Sequence, residues 1–556
     1  MSAAELDDLA ATFWDDFLRA RPTEAHLLGD YRFANAYERA DRASEDADVA
    51  ALRDVSARAA ALDDATLDAA GRLTRDVLAH SAASYADVAE TRLAEIDADP
   101  IFGPQVEVPI VLPMLNLPDR DVAAAMADKL RGVAQNYRDR IERLREGLAA
   151  GRTPAAFAVA DSVEQLDAQL ASTLADSPVV AALPAPPESM STSDAEAWRE
   201  QMTGVGRVAL LPAMADYRDA LRDVVLPRGR SDERCGLGAI PDGDRAYATM
   251  LRFSTTTDLT AQQIHDLGVE QVARLAEEYR ALGPAVVGSD DLATIFDAMR
   301  HDPALHFTDG QQMVTASEVA MARAWEAMPA WFEVLPQAPC AVQGTESGPK
   351  AFYFPPSADG SRGGTFFINT DDPGSWGTFE LESMAFHEGI PGHHLQLTIA
   401  AELAGVPEFR KHLHNNAYAE GWGLYTERLA DEMGLYSGPI DRIGMLAADS
   451  MRACRLVVDT GLHALGWSRD QAVRYMVENS PLAEAMVRPE IDRYICTPGQ
   501  ATSYMVGRLE IQRIRAAAEA RQGARFDIRA FHSAVLDNGS LPLGVLDEVV
   551  RERLPA

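Results

Sequence analysis

A mostly α-helical fold with one small β region is predicted, on three observations. Apolar residues recur every three or four positions through much of residues 1–345, the period of a helix with one buried face. Two short aromatic segments after position 346 are bounded by Gly, Pro and Asp and read as strands. Beyond them, His387-Glu388 opens a histidine-rich stretch of the kind a helix presents as metal ligands.

In chain order, Leu6, Leu9, Phe13, Phe17 and Leu18 follow helical spacing, and Pro22 ends the stripe. Arg and Asp alternate over 120–150 around Val122, Met126, Leu130, Val133 and Tyr137, a second amphipathic helix. Val163, Leu166, Leu170 and Leu174 mark a third. The proline-rich run Leu183-Pro184-Ala185-Pro186-Pro187 to Ser193 is an exposed turn or linker, and a candidate subdomain edge. Thr260-Ala261-Gln262-Gln263 fits a capping box, followed by Ile264, Leu267, Val272 and Leu275. Residues 1–345 are thus expected to form a helical N-terminal region and 346–556 the metal-binding region, within one continuous fold. Ala351–Pro356 and Gly364–Thr370 are the two expected strands. Thr378 is the expected N-cap of the helix carrying His387, with Glu380 and Glu382 in its first turn, where the dipole favours anions.

The stretch His387-Glu388-Gly389-Ile390-Pro391-Gly392-His393-His394 departs from the usual HExxH. Position i+4 from His387 is Pro391, which cannot ligate and removes a helical hydrogen bond. The helix must widen, kink or restart, and a π-type bulge is one option. On a straight helix His394 would share the face of His387. A new turn starting at the Pro-Gly step favours His393 instead, and both stay open as second ligand. Glu388, beside the first ligand, is placed to take a proton from water.

Glu420, Leu424 and Glu427 share one face of a helix in Asn415–Leu429. On spacing alone, the two carboxylates would be a solvated face. Gly421 and Gly423 cost about 1 kcal/mol each in a helix interior, so another backbone is expected to come close. Hence this helix should pack on the metal helix and deliver Glu420 as third ligand. Further on, Arg452, Arg455, Asp459 and His463 recur at turn spacing. They form either an internal ion-pair network or a carboxylate-binding fork. Tyr504 alone would be core, but beside a metal it could donate to an oxyanion. His532 reads as structural.

Only twelve of the 556 residues are histidine, and the net charge is −34. That charge argues against nucleic acid and anionic membranes as partners. No run of eighteen apolar residues suggests a membrane span. The start shows no basic and apolar signal-peptide regions, and four scattered cysteines fit reduced thiols. A cytoplasmic location is the expectation.

The run His387–Gln396 resembles the signature of the bacterial domain-of-unknown-function 885 family, grouped with zinc metallopeptidases. Gly364–Thr370, Glu420–Glu427, Arg455–Gly461 and Pro498–Gly507 are similar to that family as well. The resemblance implies a helical body around a deep cleft, with a small sheet beside the metal site, like gluzincin peptidases of the neurolysin kind. It implies Zn²⁺ as cofactor, Glu420 as third ligand and Tyr504 as oxyanion donor. It also implies that Gly364–Asn369 is an edge strand receiving a small peptide by strand addition. Phe367, Asn369, Arg455, Gln500 and Arg508 are the expected substrate contacts. The expected activity is amide hydrolysis of small peptides. Cyclisation or elimination at the same metal, and a non-catalytic peptide-binding protein on a peptidase scaffold, are the alternatives.

Overall fold

A computed structural model describes residues 3–172, 183–356, 362–413 and 415–556. Helices dominate it, with one three-stranded sheet among the described residues. The first amphipathic stripe forms the helix Ala3–Ala20, burying Leu6, Leu9, Phe13, Phe17 and Leu18. Pro22 occupies the first turn of the next helix, where its missing N–H costs nothing. The second stripe forms Arg120–Ala149, with all five predicted apolar positions buried. The third forms Ala156–Ala171, burying Val163 and Leu166; Leu174 lies outside the described residues. The Thr260 capping box is present, and both of its reciprocal bonds are made.

Two compact units are built from interleaved segments. The first takes Met1–Asp68, Leu78–Thr249 and Leu462–Arg469; the second takes Ala69–Val77, Met250–Gly461 and Asp470–Ala556. The first unit has its core around Arg120–Ala149, where Met126, Leu130 and Tyr137 meet Trp198, Met214 and Tyr217. Position 346, where the texture of the sequence changes, falls inside the second unit.

The sheet corrects three expectations. Cys340–Thr345 is a strand (β1), not helix. Its alternating half-exposed residues are too few to stand out beside long helices. With β2 (Ala351–Phe354) and β3 (Gly364–Asn369) the order is β1-β3-β2, β3 running parallel to β1 and antiparallel to β2. Gly364–Asn369 is therefore the central strand. Both its edges are paired, so no peptide can add to it. Thr378 does not cap the metal helix either; its hydroxyl donates to the Leu305 carbonyl, and the helix Glu380–Met384 starts after Phe379.

No described helix is long and apolar enough to cross a membrane. All four cysteines are free thiols.

Candidate metal centre

The helix Glu380–Met384 widens into a π-helical turn, Ala385–Gly389, and breaks at Ile390, whose backbone is extended. A new helix begins at His393 and runs to Glu402. Proline at 391 makes this break obligatory, because an α-helix cannot continue through it without losing a bond and clashing. The neighbouring helix Asn416–Glu432 holds the distorted turn in place. Thr426 Oγ1 donates to the Phe386 carbonyl at 3.1 Å, and Trp422 Nε1 to the Pro391 carbonyl at 3.0 Å. Both carbonyls belong to the irregular stretch, and both would cost free energy if left unpaired. Asn415 caps the supporting helix, accepting from the Tyr418 N–H.

Gly423 lets this helix come close. A Cβ there would stand 2.6 Å from the His387 ring, so any side chain would push the ring away. One turn earlier Glu420 reaches the same place. Its Oε2 lies 3.5 Å from His387 Nε2 and 3.4 Å from His393 Nε2. The two rings meet edge to face with centroids 4.8 Å apart. One ligand atom from each of the three residues lies within 4.8 Å of the others. Two ligands at about 2.0–2.1 Å from a tetrahedral zinc ion are separated by roughly 3.3–3.4 Å. The observed spacings match that separation, and two imidazoles with one carboxylate are a donor set zinc accepts.

Electrostatics agree. His387 is buried, which disfavours its charged form, yet Glu420 and Glu427 together raise its pKa to about 9. Burial would raise Glu420, but the two histidines hold it well below the ordinary carboxylate range. Positive charge is thus strongly favoured between these groups, and a cation can supply it as well as a proton can. His387 Nδ1 lies 2.8 Å from Glu427 Oε1, so it is the nitrogen that donates its N–H there, and in the neutral ring the lone pair of Nε2 faces the cluster. Ser383 Oγ donates to the other Glu427 oxygen at 2.7 Å. Glu427 is only 1% exposed, so the solvated-face reading fails for it. Its place seven residues after Glu420, on the same helix face, was the signal that could have found it. Nothing in the sequence marked Thr426, Trp422 or Ser383.

His394, the alternative that spacing left open, has other partners on both ring nitrogens. Its Nε2 is 3.0 Å from the Ala338 carbonyl and must carry the proton, while Nδ1 accepts from the Tyr353 hydroxyl at 2.8 Å. Burial lowers its pKa to about 4, so the ring is a neutral buried tie. His532 is likewise engaged on both nitrogens, by Tyr425 and Trp331.

The remaining predicted residues divide. Glu388 is half-buried on the π turn, close enough to raise the pKa of His387. Burial first, and then the Glu420 charge, raise the Tyr504 hydroxyl above its ordinary value. The Arg455 guanidinium lies 4.5 Å over the Tyr504 ring. Arg455 pairs with Glu490 at 2.9 Å and Tyr494 at 2.7 Å, and its buried Nη1 has no partner. Further along the same helix, Asp459 accepts from the Gly499 N–H and His463 from the Leu237 N–H. Arg508 is buried against Asp449 at 2.6 Å. Gln500 accepts from Arg493, Phe367 stacks on Phe352, and Asn369 bonds the Gly348 carbonyl. Arg508, Gln500, Phe367 and Asn369 thus have structural partners of their own.

Fold and site define a mostly helical protein with a His-His-Glu cluster at metal-ligand spacing. The chain belongs to the family described as bacterial protein of unknown function (DUF885), whose model matches residues 22–550. A solved structure from Colwellia psychrerythraea, described as a "putative lipoprotein", is 26% identical, covering 100% of this chain and 99% of its own with a TM-score of 0.91. A second, a "putative lipoprotein of unknown function" from Shewanella oneidensis, is 19% identical and covers 99% of both chains with a TM-score of 0.79. At that identity it speaks to the fold alone. No curated protein matches the chain. The description of the Colwellia psychrerythraea structure as a "putative lipoprotein" overturns the expected cytoplasmic location. Free thiols and the first residues of this sequence were too weak a basis for it.

Proposed function

We propose that this chain is a zinc-dependent hydrolase of amide bonds in small peptides. The observation that carries the reading is the convergence of Glu420 Oε2 with His387 Nε2 and His393 Nε2 at 3.4–3.5 Å. Those three residues would hold Zn²⁺. When bound, zinc supplies a Lewis acid that polarises a carbonyl and lowers the pKa of water toward about 7. Glu427 fixes the His387 tautomer, so that Nε2 always faces the cluster. Glu388 accepts a proton from the attacking water and returns it to the leaving amine. The Tyr504 hydroxyl, braced by Arg455, donates to the carbonyl oxygen as charge develops on it. The unpartnered Arg455 Nη1 is available to a substrate carboxylate.

The gluzincin-like cleft, and with it the preference for short peptides, belongs to this proposal by family likeness. If a peptide adds to the sheet, it does so at β1 or β2, the outer strands. The "putative lipoprotein" description of the Colwellia psychrerythraea structure favours a location outside the cytoplasm for this chain too.

The test joins elemental analysis of the purified protein to a dipeptide panel. One zinc per chain is expected, with hydrolysis that stops on chelation. Glu388→Gln should keep the zinc and lose at least about 100-fold in rate. Negligible zinc together with chelator-insensitive turnover would overturn the proposal.

A further inference from the structure

The first unit contains a cavity of about 280 Å³ between the helices Ala3–Ala20, Arg42–Ala60 and Ala69–Glu90. None of the proposed metal-site residues lines it. It has two kinds of wall. Phe13, Phe17, Leu52 and Val55 make an apolar face. Charged side chains, Arg21, Arg39, Arg140 and Arg143 with Asp16, Glu45, Asp48 and Asp97, interrupt the remaining alanine and Tyr85 lining.

Most of the ionic wall is already satisfied. Arg140 pairs with Asp97, Arg143 with Glu45, and Arg39 with Asp139. Two groups differ. The Arg21 guanidinium lies over the rings of Phe17 and Tyr85, 3.8 and 5.1 Å from their centroids. Among the described residues no carboxylate pairs with it. Asp48, a solvent-exposed residue, lines the mouth of the same cavity with no cationic partner at ion-pair distance among the described residues. Burial raises its carboxyl and the Arg21 charge opposes that rise, so the two groups feel each other. Arg143, 1% exposed, also keeps its Nε buried without an acceptor.

We propose that this cavity binds a small apolar α-amino acid as its zwitterion. The carboxylate would sit on Arg21, held flat by its aromatic neighbours. The ammonium would sit on Asp48 and the side chain among Phe13, Phe17, Leu52 and Val55. One ligand thus offers each of these two groups a partner of opposite charge, and a net-neutral lining suits a net-neutral ligand. The volume is at the small end for ligand pockets, which favours a single amino acid over a peptide.

Calorimetric titration of the full chain with L-leucine, L-leucinamide and N-acetyl-L-leucine tests this. Leucinamide lacks the carboxylate, and N-acetyl-leucine lacks the ammonium. Leucine should bind at least ten-fold tighter than either. Arg21→Gln should weaken leucine ten-fold or more and leave leucinamide unchanged. Asp48→Asn should weaken leucine and leave N-acetyl-leucine unchanged. Both side chains reach solvent, and neither substitution removes an ion pair. Ala51→Phe, which fills the cavity, should abolish all binding. Equal affinity for the three probes, no saturable leucine binding, or discrimination that survives Arg21→Gln would overturn the assignment. So would leucine binding that disappears on chelation yet tolerates both substitutions, because it would then belong to the metal centre.

Discussion

At the scale of single residues, the site depends on which imidazole nitrogen carries a proton. Glu427 decides this for His387, across 2.8 Å in a buried setting. Removing such a partner costs about 10–100-fold in metal affinity in comparable sites. Glu427→Gln should therefore weaken zinc by roughly that factor, read by competition with a chelating dye. An unchanged affinity would mean that His387 needs no such anchor. The residue pattern singled out His387, His393 and Glu420, whose candidate ligand atoms the fold brings within 4.8 Å of one another, because metal donors are drawn from those residue types. It did not disclose His394 as a buried tie to Tyr353 and Ala338, since adjacent histidines look alike until a chain fold gives each its neighbours.

At the scale of elements, two helices approach the centre of the second unit only because side chains are missing. A Cβ on Gly507 would stand 1.9 Å from the Ala417 carbonyl, and one on Gly423 2.6 Å from the His387 ring. Exposed Gly→Ala changes in helices gain about 1 kcal/mol. Gly423→Ala should instead lose zinc occupancy by displacing His387, while the helix content seen by circular dichroism stays the same. Full zinc occupancy in this variant would show that the ring can shift without leaving the cluster. The helices themselves were legible, with caps at Thr260 and boundaries near prolines. The sheet was legible only in part. Strand order is a long-range property, and no local pattern in Gly364–Asn369 distinguishes a central strand from an edge.

At the scale of the whole molecule, buried titratable groups set how stability follows pH. Burial lowers His394 to about 4 and His532 to about 3, from an ordinary 6.5. A histidine kept neutral by folding contributes full stability above the unfolded pKa and loses it as pH falls toward the folded one. Arg455 and Arg493 outweigh burial and lower Glu490 to about 2; its contribution is present above 4.5 and lost below. Melting temperature of chelator-treated protein should therefore fall below pH 6.5 and fall more steeply below 4.5, while the raised pKa of His387 adds a separate loss as pH rises from 6.5 towards 9. The histidines alone account for a loss on the order of a few kcal/mol. A melting point unchanged between pH 7 and 5 would contradict this. By itself, the sequence determined the helical class, the break in the helix at Pro391 and the candidate donor types, because periodicity, proline and donor chemistry act locally. Only the tertiary structure decided which histidine joins Glu420, where β3 sits, and what holds Glu427 and Arg455. Those outcomes depend on contacts between segments far apart in the chain, which leave no local pattern to read.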